Sequence, residues 1–125
     1  MQIILTPQES EEYFYNALCN GLSCMGGYGL EVDYNEKHYY QAKDKLTNPC
    51  YEDVLMQILR DGNTIGVEDV ECDGEYSKQI TLEDVHTKMG TVDPERLLEM
   101  KNETDDAGTA DVILQTIMYG EVIFG

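Results

Sequence analysis

Carboxylates recur at every second position between residues 69 and 75: Asp69, Glu71, Asp73 and Glu75, with Glu68 beside them. In an extended chain alternate side chains share a face, which spaces such a row at roughly 6–7 Å from about 3.3 Å of rise per residue. Two chemistries suit a row of anions: holding a cation, or imitating a phosphate backbone for a protein that binds nucleic acid. A third reading needs no ligand, because charge commonly blunts strand edges and keeps a hairpin tip solvated.

The cation reading meets a template. Counted from Asp69, an EF-hand loop wants acids at positions one, three and five, Gly at six and Glu at twelve. Asp69, Glu71, Asp73 and Gly74 fill the first four slots, but position twelve is Ile80, which cannot chelate. No metal site is expected here. His38 and His86 lie in neither a His-x-Glu nor a His-Glu-x-x-His arrangement. Cys19 and Cys24 stand at the edge of zinc-ligand spacing with no second pair, since Cys50 and Cys72 are isolated. There is no Gly-x-Ser-x-Gly elbow and no dinucleotide or P-loop pattern; Gly26-Gly27-Tyr28-Gly29 reads as a helix-to-strand turn. With 25 acidic residues, no single acid–base pair stands out. The expectation is a protein that is not an enzyme and carries no cofactor.

Charge narrows the partners. Twenty-five acids face eight bases, a net charge of −17. Direct nucleic-acid binding needs clustered Lys and Arg, and the six Lys and two Arg are scattered. Anionic membrane surfaces are opposed by the same argument, and no apolar run approaches a membrane span. A basic partner is the expected one. Residues 1–7 lack the basic and apolar regions of a leader, so the four thiols read as reduced and the protein as cytoplasmic.

The elements that position the acids follow from local signals. A length of 125 residues fits a single domain, 1–125, and 42% hydrophobic residues suffice for a core. Gln2–Leu5 reads as a short strand. Thr6-Pro7-Gln8-Glu9 is a helix start, with Phe14, Ala17, Leu18 and Leu22 on one face and Gly21 and Gly26-Gly27 as stops. Gly29–Tyr34 alternates as a strand, with Leu30, Val32 and Tyr34 opposite Glu31 and Asp33. Asn35 caps a helix to Leu46, and Asn48-Pro49 opens another from Cys50 to Arg60. A central β-hairpin follows: Thr64–Glu71, a tight turn at Cys72-Asp73-Gly74, and Glu75–Leu82. Its apolar alternation slips between Val67 and Val70, which predicts a bulge near Glu68-Asp69. Thr81 caps a short helix to Met89, Asp93-Pro94 starts the next, 102–108 is an acidic loop, and Thr109–Tyr119 is a buried helix ended by Gly120. Residues 121–125 read as a strand or apolar tail. The fold class is α+β, helix-rich, with a small mostly antiparallel sheet.

The chain's length, its acid-to-base ratio and stretches such as Tyr51-Glu-Asp-Val-Leu-Met-Gln-Ile-Leu-Arg-Asp-Gly62 carry a likeness of style. In these it resembles the small acidic accessory proteins of bacteriophages and mobile elements. The resemblance implies an inhibitor of host defence that occupies the nucleic-acid channel of a basic protein such as a nuclease. The acids assigned to that surface are Glu68, Asp69, Glu71, Asp73 and Glu75, then Asp105 and Asp106. Two alternatives stand beside it. An assembly protein would use the apolar tail, Val122, Ile123 and Phe124, as its interface. A small-molecule module would line a pocket with Tyr13, Tyr15, Tyr28, Tyr34, Tyr39 and Tyr40. The oligomeric state stays open.

Overall fold

Thr6 and Glu9 start the first helix reciprocally. The Thr6 Oγ1 accepts from the Glu9 N–H at 3.1 Å, and the Glu9 carboxylate accepts from the Thr6 N–H at 3.0 Å, with Pro7 at the first helical position. This box opens α1 (Pro7–Gly27) in the computed structural model, which describes residues 4–125. The strand expected at residues 2–5 lies partly outside the described residues, and Ile4 and Leu5 are not in a strand.

After α1 come β1 (Leu30–Tyr34), α2 (Glu36–Lys43), α3 (Tyr51–Arg60), β2 (Ile65–Asp69) and β3 (Lys78–Ile80). Then α4 (Leu82–Lys88) runs into a short 3₁₀ turn, followed by α5 (Pro94–Lys101) and α6 (Ala107–Tyr119). The class is α+β and helix-rich. The three strands form one antiparallel sheet in the order β1-β2-β3, and β2–β3 is the central hairpin. Caps sit where side-chain type puts them: Asn35 Oδ1 accepts from the Lys37 and His38 N–H groups, Thr81 from Asp84, Asp93 from Glu95.

Several boundaries differ from the sequence reading, among them the start of α6 at Ala107 where the loop at 102–108 was expected to reach Thr109. The helix before residue 46 ends at Lys43. The tail at 121–125 is not a strand. Gly21 does not stop α1, because its missing side chain is what the packing needs. A Cβ at Gly21 would lie 2.8 Å from the Ala110 Cβ and 2.9 Å from the Leu114 Cδ1. α1 and α6 therefore cross almost backbone to backbone, and their inner faces (Phe14, Ala17 and Leu18 with Ile113, Leu114 and Ile117) form the centre of the core. α3 adds Val54, Leu55, Met56, Ile58 and Leu59, and the inner face of the sheet adds Leu30, Ile65, Val67 and Ile80.

The crossing yields a test. Gly21→Val should cost about 1–3 kcal/mol, the usual penalty for overpacking a tight core. Gly26→Ala, which meets nothing within 4 Å, should be neutral or stabilising by up to about 1 kcal/mol. Urea unfolding of both variants checks the contrast; equal midpoints would contradict the close crossing.

Candidate functional site

Asp69 occupies the inward face of β2, in line with Ile65 and Val67, and is 5% exposed. β2 pairs with β1 without interruption from Ile65↔Tyr34 to Asp69↔Leu30. The bulge expected at Glu68-Asp69 is absent: the alternation holds, with a buried acid where an apolar residue was looked for. Val70 is the residue turned outward.

The buried carboxylate then organises the connection from Val70 to Ser77. Its Oδ1 accepts from the N–H groups of Glu71 at 3.0 Å and Cys72 at 2.8 Å, and its Oδ2 accepts from the Tyr76 N–H at 3.1 Å. The Asp69 N–H donates to the Ser77 Oγ at 2.9 Å. Backbone donors that a longer hairpin would use for pairing are claimed by one side chain. Both strands stop early, and the expected three-residue turn becomes a folded loop. Asp73 and Gly74 take φ of 54° and 83° at its tip. The Cys72 N–H and the other amide donors hold the Asp69 carboxyl below its ordinary 3.8 against the opposing effect of burial. The extended row of carboxylates is thereby corrected: Asp69 faces inward as a structural group, and Glu71, Asp73 and Glu75 project from a loop around it. The exposed Cys72 lies among them, its thiol pushed up by desolvation and then by the charges of Asp69, Glu75, Glu71 and Asp73.

The outer face of the sheet continues this surface. Glu31 on β1 lies directly opposite Glu68 on β2, and both are exposed. Asp33 lies opposite Gly66, which lies opposite Gln79 on β3. Because Gly66 has no side chain, Gln79 reaches across it and its Nε2 donates to Asp33 Oδ2 at 2.9 Å. The Glu71 side chain folds back over Gly29, where a Cβ would sit 2.5 Å from its Cδ. Acids of the loop and of the sheet thus form one patch. Among the described residues, the five ion pairs join Lys45, Arg60, His86, Lys88 and Arg96 to carboxylates elsewhere, and none reaches this patch.

Asp105 and Asp106 stand immediately before α6. Asp106 is the N-cap of α6, its Oδ1 accepting from the Thr109 N–H at 2.9 Å, and that bond leads the effects lowering its carboxyl. The apolar tail turns back on its own chain. The buried Gln115 holds it: Oε1 accepts from the Ile123 and Phe124 N–H groups at 2.8 Å each, and Nε2 donates to the Phe124 carbonyl at 3.2 Å. The Phe124 ring stacks on Tyr28 at 4.8 Å and meets Tyr76 edge-on at 5.1 Å. Tyr119, whose hydroxyl burial pushes up to about 12 with help from the Asp69 charge, donates to the Tyr76 carbonyl at 2.7 Å. Phe124 and Tyr119 therefore brace the acidic loop from beneath, while Val122 and Ile123 stay exposed.

The six tyrosines do not line one pocket. Tyr13 is core, Tyr15 donates to Asp53 Oδ1 at 2.8 Å, and Tyr28 donates to Asp111 Oδ2 at 2.6 Å. Tyr34, Tyr39 and Tyr40 gather instead with Tyr51. A cleft of about 470 Å³ between α1 and α3 is lined by Gln8, Glu11, Glu12, Tyr15, Asp53 and Arg60. Its central acids are already engaged, Glu11 by Arg60 and His86 and Asp53 by Tyr15.

Glu31 and Asp33 are the members of the patch that sequence reasoning missed. Their outward direction was readable from alternation, but the strand they face was not. Among the described residues, no group of three or more His, Cys, Asp or Glu side chains could hold a metal ion, and no helix is long and apolar enough to cross a membrane. Comparison with protein-family models, curated proteins and solved structures finds no match to this chain.

Two outcomes are expected. A group whose folded pKa is depressed stabilises the fold when ionised, so Asp69 contributes fully above its unfolded value of 3.8 and ceases to contribute as pH falls through the lower folded value. Asp69→Asn should lower the melting midpoint at neutral pH, and its gap from the wild type should close as pH falls below that range. A gap independent of pH would contradict the role given to the carboxylate. Phe124→Ala should cost about 1–2 kcal/mol for a half-buried ring and speed amide exchange at Cys72 and Tyr76. Unchanged exchange there would contradict the bracing.

Proposed function

We propose that this is a non-enzymatic, cytoplasmic binding protein whose acidic patch takes up a basic, nucleic-acid-binding surface of a partner. Glu31, Glu68, Glu71, Asp73 and Glu75 stand in for the phosphate backbone. The observation that carries the reading is the pairing of Glu31 with Glu68 on adjacent strands. Carboxylates directly opposite one another destabilise a sheet, and the neighbouring loop adds three more acids; Lys78, which lines a hollow with Asp33 and Glu68, makes no ion pair with them among the described residues. A basic partner converts that repulsion into attraction on contact. The patch is also preorganised, since its acids stand on a sheet and on a loop fixed by Asp69, so little ordering entropy opposes binding. A net charge of −17 opposes direct contact with nucleic acid.

The likeness to phage and mobile-element accessory proteins supports an inhibitor of host defence as the kind of binder. Assembly through the tail has less support, because Phe124 is taken up inside the chain and only Val122 and Ile123 of that segment face outward.

The test is displacement of fluorescent duplex DNA from a panel of purified basic nucleases, at about 50 mM and about 500 mM salt, between which the screening of exposed charges strengthens. A variant with Glu31, Glu68, Glu71 and Glu75 changed to Gln and Asp73 to Asn is compared with a charge-matched control. The control carries Gln at Glu12, Glu36, Glu95 and Glu121 and Asn at Asp44. Wild type should displace DNA from at least one nuclease at low salt. The patch variant should lose at least about tenfold in potency, roughly 1.4 kcal/mol, while the control stays near wild type. Equal losses in both variants, or no displacement anywhere, would contradict the proposal.

A further inference from the structure

The outward face of α2 carries its charges in two rows. α2 packs on α3 with Ala42 buried and His38 and Tyr39 half-buried, so the opposite side of the helix faces outward. At 100° per residue Tyr40, 54% exposed, falls at the middle of that outward side. Glu36 and Lys43 flank it in one row, and Lys37 and Asp44, the helical C-cap, in the other; all four are exposed. None of the four has an opposite charge three or four places along the helix, where a local ion pair would form. None enters an ion pair elsewhere among the described residues.

In charge this face is unlike the chain as a whole. Two acids are matched here by two bases, whereas the protein has 25 acids and eight bases. Copies that each bear −17 repel one another over most of their surface. They meet least opposition where the local charge balances.

The order of signs suits a twofold axis. Each row reverses its sign over seven residues, about 10 Å at 1.5 Å of rise per residue. When two α2 helices lie antiparallel and cross at Tyr40, Glu36 faces the partner's Lys43 and Lys37 faces the partner's Asp44. The same contacts recur on the other side of the axis, as an isologous interface requires. The two Tyr40 rings meet at its centre. Each is already set edge-on to Tyr39 at 5.5 Å, and Tyr39 stacks on Tyr34 at 5.0 Å, so little ordering entropy opposes the contact. A parallel pair also brings unlike signs together, but it places the two acidic β1 strands, which lead into α2, at the same end.

We propose that the outward face of α2 is a self-association surface on which a second copy of this chain docks antiparallel. Tyr40 lies at the axis, with Glu36–Lys43 and Lys37–Asp44 contacts on either side. This stands independently of the acidic-patch reading.

One short helix buries less than a standard interface, so the expected dimer is weak, with a Kd on the order of 100 μM. Sedimentation equilibrium of the full chain reads it, in about 150 mM salt to screen the net charge. Two variants test the pairing. Lys37→Glu with Lys43→Glu makes the face wholly acidic, and Glu36→Lys with Asp44→Lys makes it wholly basic. Each alone should associate at least about tenfold more weakly than wild type. Their equimolar mixture should regain association, because unlike faces then meet although both variants stay net acidic. Tyr40→Ala, at an exposed position, should weaken the dimer about threefold or more. A wild type that is monomeric up to about 1 mM, ten times the expected Kd, would overturn the proposal. So would association unchanged in any of the three variants, or a mixture no more associated than its components.

Discussion

One buried carboxylate sets the form of the candidate surface. Asp69 lies where β2 should present another apolar side chain, and its two oxygens collect three backbone N–H groups from the loop that follows. An ionised group in that position is tolerable only because it is so fully bonded; unpaired, it would cost several kcal/mol or be forced neutral. The same bonds end the hairpin ladder, set the path of residues 70–77, and leave Glu71, Asp73 and Glu75 outside. The tail and α6 complete the arrangement, since Phe124 and Tyr119 both engage Tyr76. Loop, tail and last helix are thus mechanically one unit.

The sheet imposes a second constraint. A Cβ at Gly66 would collide with the Lys78 carbonyl oxygen, so β3 can lie against β2 only with glycine there. The gap it leaves on the outer face lets Gln79 hold Asp33 from two strands away. Register then places Glu31 against Glu68. A chain with a net charge of −17 has every electrostatic reason to spread its acids, and no ion pair among the described residues reaches this surface. Concentrating repulsion on a braced surface is the opposite of what stability alone favours. That imbalance is the physical basis for assigning the surface to a basic partner.

Much of this fold was legible in the sequence where the determining interactions are local. Thr6, Asn35, Thr81 and Asp93 announce their helices because a cap needs only the next three residues. Gly120 announces the end of α6 in the same way. Gly21 misled because a glycine that stops a helix and one that admits a neighbouring helix look alike until Ala110 and Leu114 are in place. Asp69 misled for a similar reason: in a run of evenly spaced acids, nothing local marks the one that turns inward. Glu31 and Asp33 were seen to point outward, but their place beside Glu68 depends on a pairing between segments more than thirty residues apart. Asp105 and Asp106 were grouped with the patch by charge alone, and Asp106 proves to be a helix cap.

The most direct measurement is a ¹⁵N-resolved NMR titration of the intact protein with a basic peptide at low salt. The account predicts amide shifts concentrated at residues 31–33, at Glu68 and through 71–75, fading as salt is raised. Shifts spread evenly over α2, α5 and the tail, or confined to Val122 and Ile123, would contradict it.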